Sequence, residues 1–112
     1  MMNTLQVETK KSGKQVQLYF NGDLTYDYIS DVHGDIVKAL EKAGKIFLHL
    51  DGIDKFDLIG VQLLCSIRKY ADKKGIPLEY EGEKFLPRLK RFQEFSGMSD
   101  CVLEENNSSG AS

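Results

Sequence analysis

The run Ile46-Phe47-Leu48-His49-Leu50, flanked by Lys45 and Asp51, is nearly continuous in apolar character and has the length of one strand. Such a run is what a strand covered on both faces by helices presents, whereas a half-exposed strand alternates. A helical repeat follows it. From Asp57, which can cap a helix N-terminus, Gly60, Leu63, Leu64, Ile67, Tyr70 and Ala71 share one face at 100° per residue, with Gln62, Ser66, Lys69 and Lys73 opposite. Gly75 closes that helix after about Lys74, and Ile76-Pro77-Leu78-Glu79-Tyr80 reads as the next short strand, with the proline at its start where no ladder donor is lost. A strand, a helix and a further strand in direct succession favour parallel pairing through a crossover. Lys45–Asp51 is therefore expected at the centre of a sheet.

Upstream, Leu5, Val7 and Thr9 alternate with Gln6, Glu8 and Lys10, and Val16, Leu18 and Phe20 alternate with Gln15, Gln17 and Tyr19. Two alternating strands joined through Ser12-Gly13 predict a hairpin, with Asn21-Gly22 ending or bending its second arm. From Asp27 the period changes to that of a helix, through Ile29, Val32, His33, Ile36, Val37 and Leu40, with Gly44 placed to stop it. Downstream, Gly82 turns the chain. Phe85, Leu86, Leu89, Phe92 and Phe95 then give a third helical stripe, in which Pro87 is tolerated in the first turn and Gly97 is available as terminator. The order β-β-α-β-α-β-α predicts an α/β fold (α+β under a stricter label): one mixed sheet of about four strands covered by helices. With 112 residues the chain is large enough for one core and too small for two. Residues 4–103 are read as that domain and 104–112 as a disordered tail.

Charge and composition narrow the function. A net charge of −2 from 15 basic and 17 acidic residues, dispersed apart from the short run Lys84 to Arg91, lacks the concentrated basic footprint that nucleic-acid binding needs. The N-terminus has no apolar signal-peptide core, and no apolar run approaches the roughly 20 residues that span a bilayer, so a cytoplasmic protein without membrane insertion is expected. Cys65 and Cys101 lie far apart in sequence and form no metal-type pair, which favours two reduced, partly buried thiols.

The stretch Ile46 to Asp51, then Asp57-Leu58-Ile59-Gly60-Val61-Gln62-Leu63-Leu64, then Ala71 and Gly75, resembles the central strand, phosphorylation loop and following helix of the STAS (anti-sigma factor antagonist) family. The resemblance continues through Leu78-Glu79-Tyr80 and Leu89 to Met98, and upstream through Phe20-Asn21-Gly22-Asp23-Leu24. It implies a regulatory protein-binding module, not an enzyme, and no cofactor. In that family the acidic residue at the position of Asp57 usually precedes two small residues, commonly Ser-Ser, Ser-Thr or Thr-Ala. The usual switch adds a phosphate, about −1.5 to −2 charge, at a helix N-terminus on the binding surface. Here the two positions hold Leu58 and Ile59, and neither has a hydroxyl to phosphorylate.

On the helical wheel Leu58 lies nearly opposite the core stripe and Ile59 at its edge, so two aliphatics are expected to face solvent side by side, as a contact surface does. The resemblance implies docking of an anti-sigma/GHKL-type kinase or another signalling protein on this surface, with Asp23, Asp54, Asp57, Leu58, Ile59, Gln62 and Ser66 lining it. Gly60 to Leu64 is especially similar to small STAS proteins of chemosensory systems. An accessory subunit of a lipid or ABC transporter ATPase, or a small-ligand or nucleotide-responsive module, are the alternatives, and the oligomeric state is left open. Asp51, Asp54 and Asp57 recur at intervals of three, a spacing that could gather a hard cation, but a strand end, a turn and a helix cap account for them with less. No metal site is therefore expected. His33 and His49 have no Cys or His at ligand spacing and are read as packed, hydrogen-bonded histidines.

Overall fold

A computed structural model describes residues 4–96, and its sheet grows from the hairpin. Strand β1 (Gln6–Ser12) turns through Gly13, at φ 62°, into β2 (Gln15–Leu24). Helix α1 (Tyr26–Leu40), strand β3 (Lys45–Phe56), helix α2 (Leu58–Lys74), strand β4 (Leu78–Glu81) and helix α3 (Phe85–Ser96) follow. The sheet order is β1-β2-β3-β4, with β1 antiparallel to β2 and the other two pairings parallel. This is the expected mixed four-stranded sheet with three helices, and β3 lies inside it.

One face of the sheet forms the core. Val16, Leu18 and Phe20 of β2 and Ile46, Leu48 and Leu50 of β3 are all 3% exposed or less. Val32, Ile36 and Leu40 of α1, Leu64, Ile67 and Ala71 of α2, and Phe85 and Leu89 of α3 join them in one cluster. The connections β2-α1-β3 and β3-α2-β4 step across the sheet in the same direction, and right-handed crossovers then place both helices on the same face.

The two-sided burial expected for β3 is not found. Its burial alternates from Lys45 to Leu50, and Phe47 and His49 point to the face without helices, half-buried. Their burial comes from each other. The His49 ring stacks between Tyr19, with centroids 4.0 Å apart and planes within 2°, and Phe47, at 4.7 Å and 16°. The His49 Nδ1 faces the Glu81 carboxylate, its Nε2 lies 2.8 Å from the Gln17 Oε1, and the Tyr19 hydroxyl donates to that same oxygen at 3.1 Å. Of the two histidines, His49 is packed and hydrogen-bonded as expected, while His33 is exposed. An aromatic on an open sheet face scores as apolar in a sequence whether a helix or another ring covers it, which is why the run misled.

Other boundaries moved as well. Gly52 to Lys55, expected as a turn, continues β3 alongside an equally prolonged β2, with Asn21 opposite Gly52, Gly22 opposite Ile53 and Leu24 opposite Phe56. Register shifts on either side of the Asn21 and Gly22 pairings absorb the irregular sequence, so Gly22, at φ 105°, bends the strand and does not end it. Helix α1 stops at Leu40, before Gly44, whose N–H instead donates to the Lys14 carbonyl at 2.7 Å and ties the helix exit to the hairpin. Phe95, placed on the third apolar stripe, is largely exposed, because the stripe of α3 buries only Phe85, Leu89 and Gln93. Cys65, expected as a thiol, is disulfide-bonded. Cys101, the expected terminator Gly97, the boundary at 103 and the tail 104–112 lie outside the described residues.

Two glycines in helices make opposite demands. A Cβ on Gly60 would be driven into the Leu24 carbonyl, whereas one on Gly34, inside α1, would meet nothing within 4 Å. Gly60→Ala is expected to lower stability by about 1–3 kcal/mol through overpacking. Gly34→Ala is expected to raise it by about 0.5–1 kcal/mol by removing backbone freedom from the unfolded chain. Urea unfolding midpoints check both, and an unchanged midpoint for Gly60→Ala would refute the close approach of α2 to β2.

Candidate functional site

The site begins with one carboxylate. Strand β3 ends at Phe56, and Asp57 stays extended (φ −131°, ψ −176°) as the N-cap of α2. Its Oδ1 accepts from the Gly60 N–H at 2.9 Å, the expected cap. Its Oδ2 accepts from the Tyr26 N–H, also at 2.9 Å. Tyr26 opens α1, whose own N-cap, Thr25, makes no side-chain cap bond. One aspartate therefore serves two helix N-termini, which lie side by side because the parallel neighbours β2 and β3 deliver both helices at the same sheet end. The positive ends of both helix dipoles favour the charge there. The Asp57 backbone N–H, 3.3 Å from the Leu24 carbonyl, completes the tie.

With Asp57 turned inward, the two residues after it have nowhere to go but out. Leu58 is 44% and Ile59 38% exposed, adjacent as the wheel indicated. Tyr26, on the neighbouring helix end, is 71% exposed. Ile59 and Tyr26, with Asp27, Ile29, Ser30 and His33, line an open groove of about 510 Å³. A second cavity of about 190 Å³ continues between α1 and α2 beyond His33, walled mainly by Ile36, Val37, Leu40, Leu63, Ile67 and Tyr70.

The residues singled out in the sequence separate into three places. Asp23, Asp57, Leu58 and Ile59 gather at the helix N-termini, where the Asp23 Oδ1 accepts from the Lys55 N–H at 3.3 Å. Gln62 and Ser66 are exposed further along α2, and the Ser66 hydroxyl donates back to the Gln62 carbonyl at 3.0 Å. Asp54 is exposed toward α3, and its carbonyl receives the Arg88 guanidinium, which also reaches the Ile53 carbonyl at 3.4 Å. Asp51, read as a strand end, lies within β3 and caps α3, accepting from the Lys84 and Phe85 N–H groups at 2.9 and 3.0 Å. Of the aspartates at intervals of three, Asp51 and Asp54 thus meet α3 and Asp57 caps α2 and α1, and no cluster of metal-binding side chains forms among the described residues. The sequence reading missed the contribution of α1, from Tyr26, Ile29, His33 and Val37. The signal was available: these four wind along one edge of the α1 wheel, beside the core stripe.

Taken together, these features define a two-layer α/β domain that presents an apolar, acid-fringed pair of helix N-termini. The family model described as Mlab, STAS domain matches residues 7–104, and the chain belongs to the STAS domain family. At the level of that family it is a regulatory, anti-sigma antagonist-like module. No curated protein matches the chain. No helix among the described residues is long and apolar enough to cross a membrane.

Loss of the shared carboxylate should be felt in both helices. Asp57→Ala is expected to destabilise the fold by about 1–3 kcal/mol, at or above the effect of a single cap, and Asp57→Asn by less, since the amide oxygen can keep one cap while its NH2 group cannot accept the second N–H. Amide hydrogen exchange reads the two ends separately. Faster exchange at both Tyr26 and Gly60 in Asp57→Ala is the expected outcome, and acceleration at Gly60 alone would exclude the double cap.

Proposed function

We propose that this domain is a non-catalytic bacterial regulatory module that docks a kinase/anti-sigma-type or chemosensory signalling protein through the N-terminal ends of α1 and α2. Of the residues that the resemblance implies, Asp23, Asp57, Leu58 and Ile59 at those ends and Gln62 and Ser66 further along α2 carry the contact, with Asp54, toward α3, at its margin. The observation that supports it is the adjacent exposure of Leu58 and Ile59 on a helix end held by the Asp57 carboxylate. A rigid backbone presenting two solvent-facing aliphatics loses little entropy on association, and burying each contributes on the order of 1 kcal/mol. Asp51 and Asp57 already accept two backbone N–H groups each, which suits a scaffold better than acid-base work.

The aliphatic pair also bears on regulation. Without a hydroxyl at 58 or 59, docking proceeds without phosphorylation at the family's usual position. The same feature favours a second reading, an accessory subunit of a lipid or ABC transporter ATPase, because a permanent subunit contact needs no switch. Either partner would use the same face.

Ile59→Asp places a charge in the proposed contact without touching the core. Affinity capture of partners from the native cell with wild-type and Ile59→Asp protein, followed by mass spectrometry, is expected to lose the principal partner in the variant. Its identity as kinase or ATPase decides between the two readings. Equal recovery by both proteins would remove the face from consideration.

A further inference from the structure

The exposed apolar surface does not stop at the helix N-termini. Both cavities share His33 as a wall, so they form one furrow between α1 and α2, from Tyr26 and Ile59 at one end to Glu41 and Tyr70 at the other. Its α1 bank presents Tyr26, Ile29, His33 and Val37, and its α2 bank presents Ile59, Leu63, Ser66 and Tyr70. Each set advances by three or four residues, the spacing of a helix ridge, and two parallel ridges with a furrow between them accept the ridge of a third helix. Val37, two turns or more from the helix N-termini, is 46% exposed on this line.

The charges on the banks are one-sided. Besides His33, the acidic or basic side chains lining the furrow are Asp27 on α1 and Glu41 at its C-cap, whereas the α2 bank carries no carboxylate, ammonium or guanidinium. They lie fourteen residues apart in sequence, about 21 Å of helix rise. Neither Asp27 nor Glu41 is in an ion pair among the described residues. Carboxylates left unpaired along one rim of an apolar furrow complement a cationic flank on whatever fills it.

We infer that the α1/α2 furrow receives an amphipathic helix of a partner protein, with its apolar stripe on the furrow floor and basic side chains along the flank facing Asp27 and Glu41. This rests on the docking reading above and extends it from the helix ends to the full length of α1. It commits the partner to a helical, basic-flanked element of at least four turns.

Two fluorescein-labelled peptides on the order of 18 residues, long enough to cover that rise, test it directly. They carry the same leucine stripe at helical spacing, one with a lysine flank and the other with a glutamate flank. Fluorescence anisotropy at low and physiological salt is expected to show binding of the lysine peptide at least about tenfold tighter than the glutamate peptide. Val37→Asp and, with less risk to packing, Val37→Ala should weaken it. Asp27→Asn combined with Glu41→Gln should erase the preference between peptides while retaining binding through the stripe. Equal binding of both peptides to the wild type, or binding indifferent to both Val37 variants, overturns the inference. Sedimentation in the absence of peptide supplies a further outcome: dimerisation abolished by Val37→Asp would assign the furrow to a second copy of the chain and overturn it likewise. Capture of the native partner separates the two levels. Loss with Ile59→Asp but full recovery with Val37→Asp leaves the docking reading standing and removes the furrow, whereas full recovery with both removes the docking reading itself.

Discussion

The Asp57 carboxylate is the point at which sheet, helices and surface meet. A single cap on α2 would leave the first N–H groups of α1 to water, because Thr25 supplies no side-chain cap. By bonding Gly60 and Tyr26 at once, Asp57 fixes the spacing of the two helix N-termini and thereby the opening of the furrow between them. The arrangement needs Gly60, because α2 approaches the end of β2 closely enough that only a hydrogen fits against the Leu24 carbonyl. It also needs β2 and β3 to be parallel neighbours that run on to Leu24 and Phe56, since that prolongation brings Asp57 within reach of α1. The exposure of Leu58 and Ile59 follows from the same bond, because an inward-turned cap leaves the next two side chains pointing away from the core.

A second constraint is the one-sidedness of the sheet. With the helices of the parallel connections on one face, the opposite face must satisfy itself, and it does so with stacked rings and paired charges: Tyr19, His49 and Phe47 across two strands, Lys45 3.2 Å from Glu79, and the Lys10 ammonium 5.1 Å from the Tyr19 ring centroid. Stacking hides ring faces from water and leaves the polar edges solvated, a compromise that aliphatic side chains cannot make. On the covered face, α3 is held to the far end of β3 by Asp51 at its first turn and by Arg88 at the Ile53 and Asp54 carbonyls, with Phe56 edge-on to Phe85 and Phe92. Strand β3 thus organises both helix ends near the site, Asp57 on one side and Asp51 on the other.

Much of this was legible in periodicity. The hairpin, the three helical stripes, the Asp57 cap and the αL Gly75 that ends α2 all rest on local rules, which a sequence records directly. The element order follows from them, and the parallel pairing follows from the order. The pair Leu58 and Ile59 could be placed at the surface because the first turn of a well-capped helix has little freedom. What local rules could not supply was which face of the sheet Phe47 and His49 would occupy, how far β3 would run past Asp51, and where Cys65 would find its disulfide. Those outcomes depend on residues distant in sequence, such as Tyr19 for the ring stack and Asn21 and Gly22 for the prolonged ladder.

The candidate site divides along the same line. The sequence by itself determined a capping aspartate, two aliphatics without a hydroxyl, and a helix with a polar outer edge, because each depends on residues within one turn of another. Only the tertiary structure decided that Asp57 reaches across to Tyr26, that Asp54 faces α3 while Asp23 stays with the helix ends, and that α1 contributes an acidic bank to a furrow. These depend on which strands are neighbours and on the crossovers that place α1 beside α2. A chain fixes its periodicities residue by residue, but the distance between two of its helices is set only when the sheet beneath them has formed.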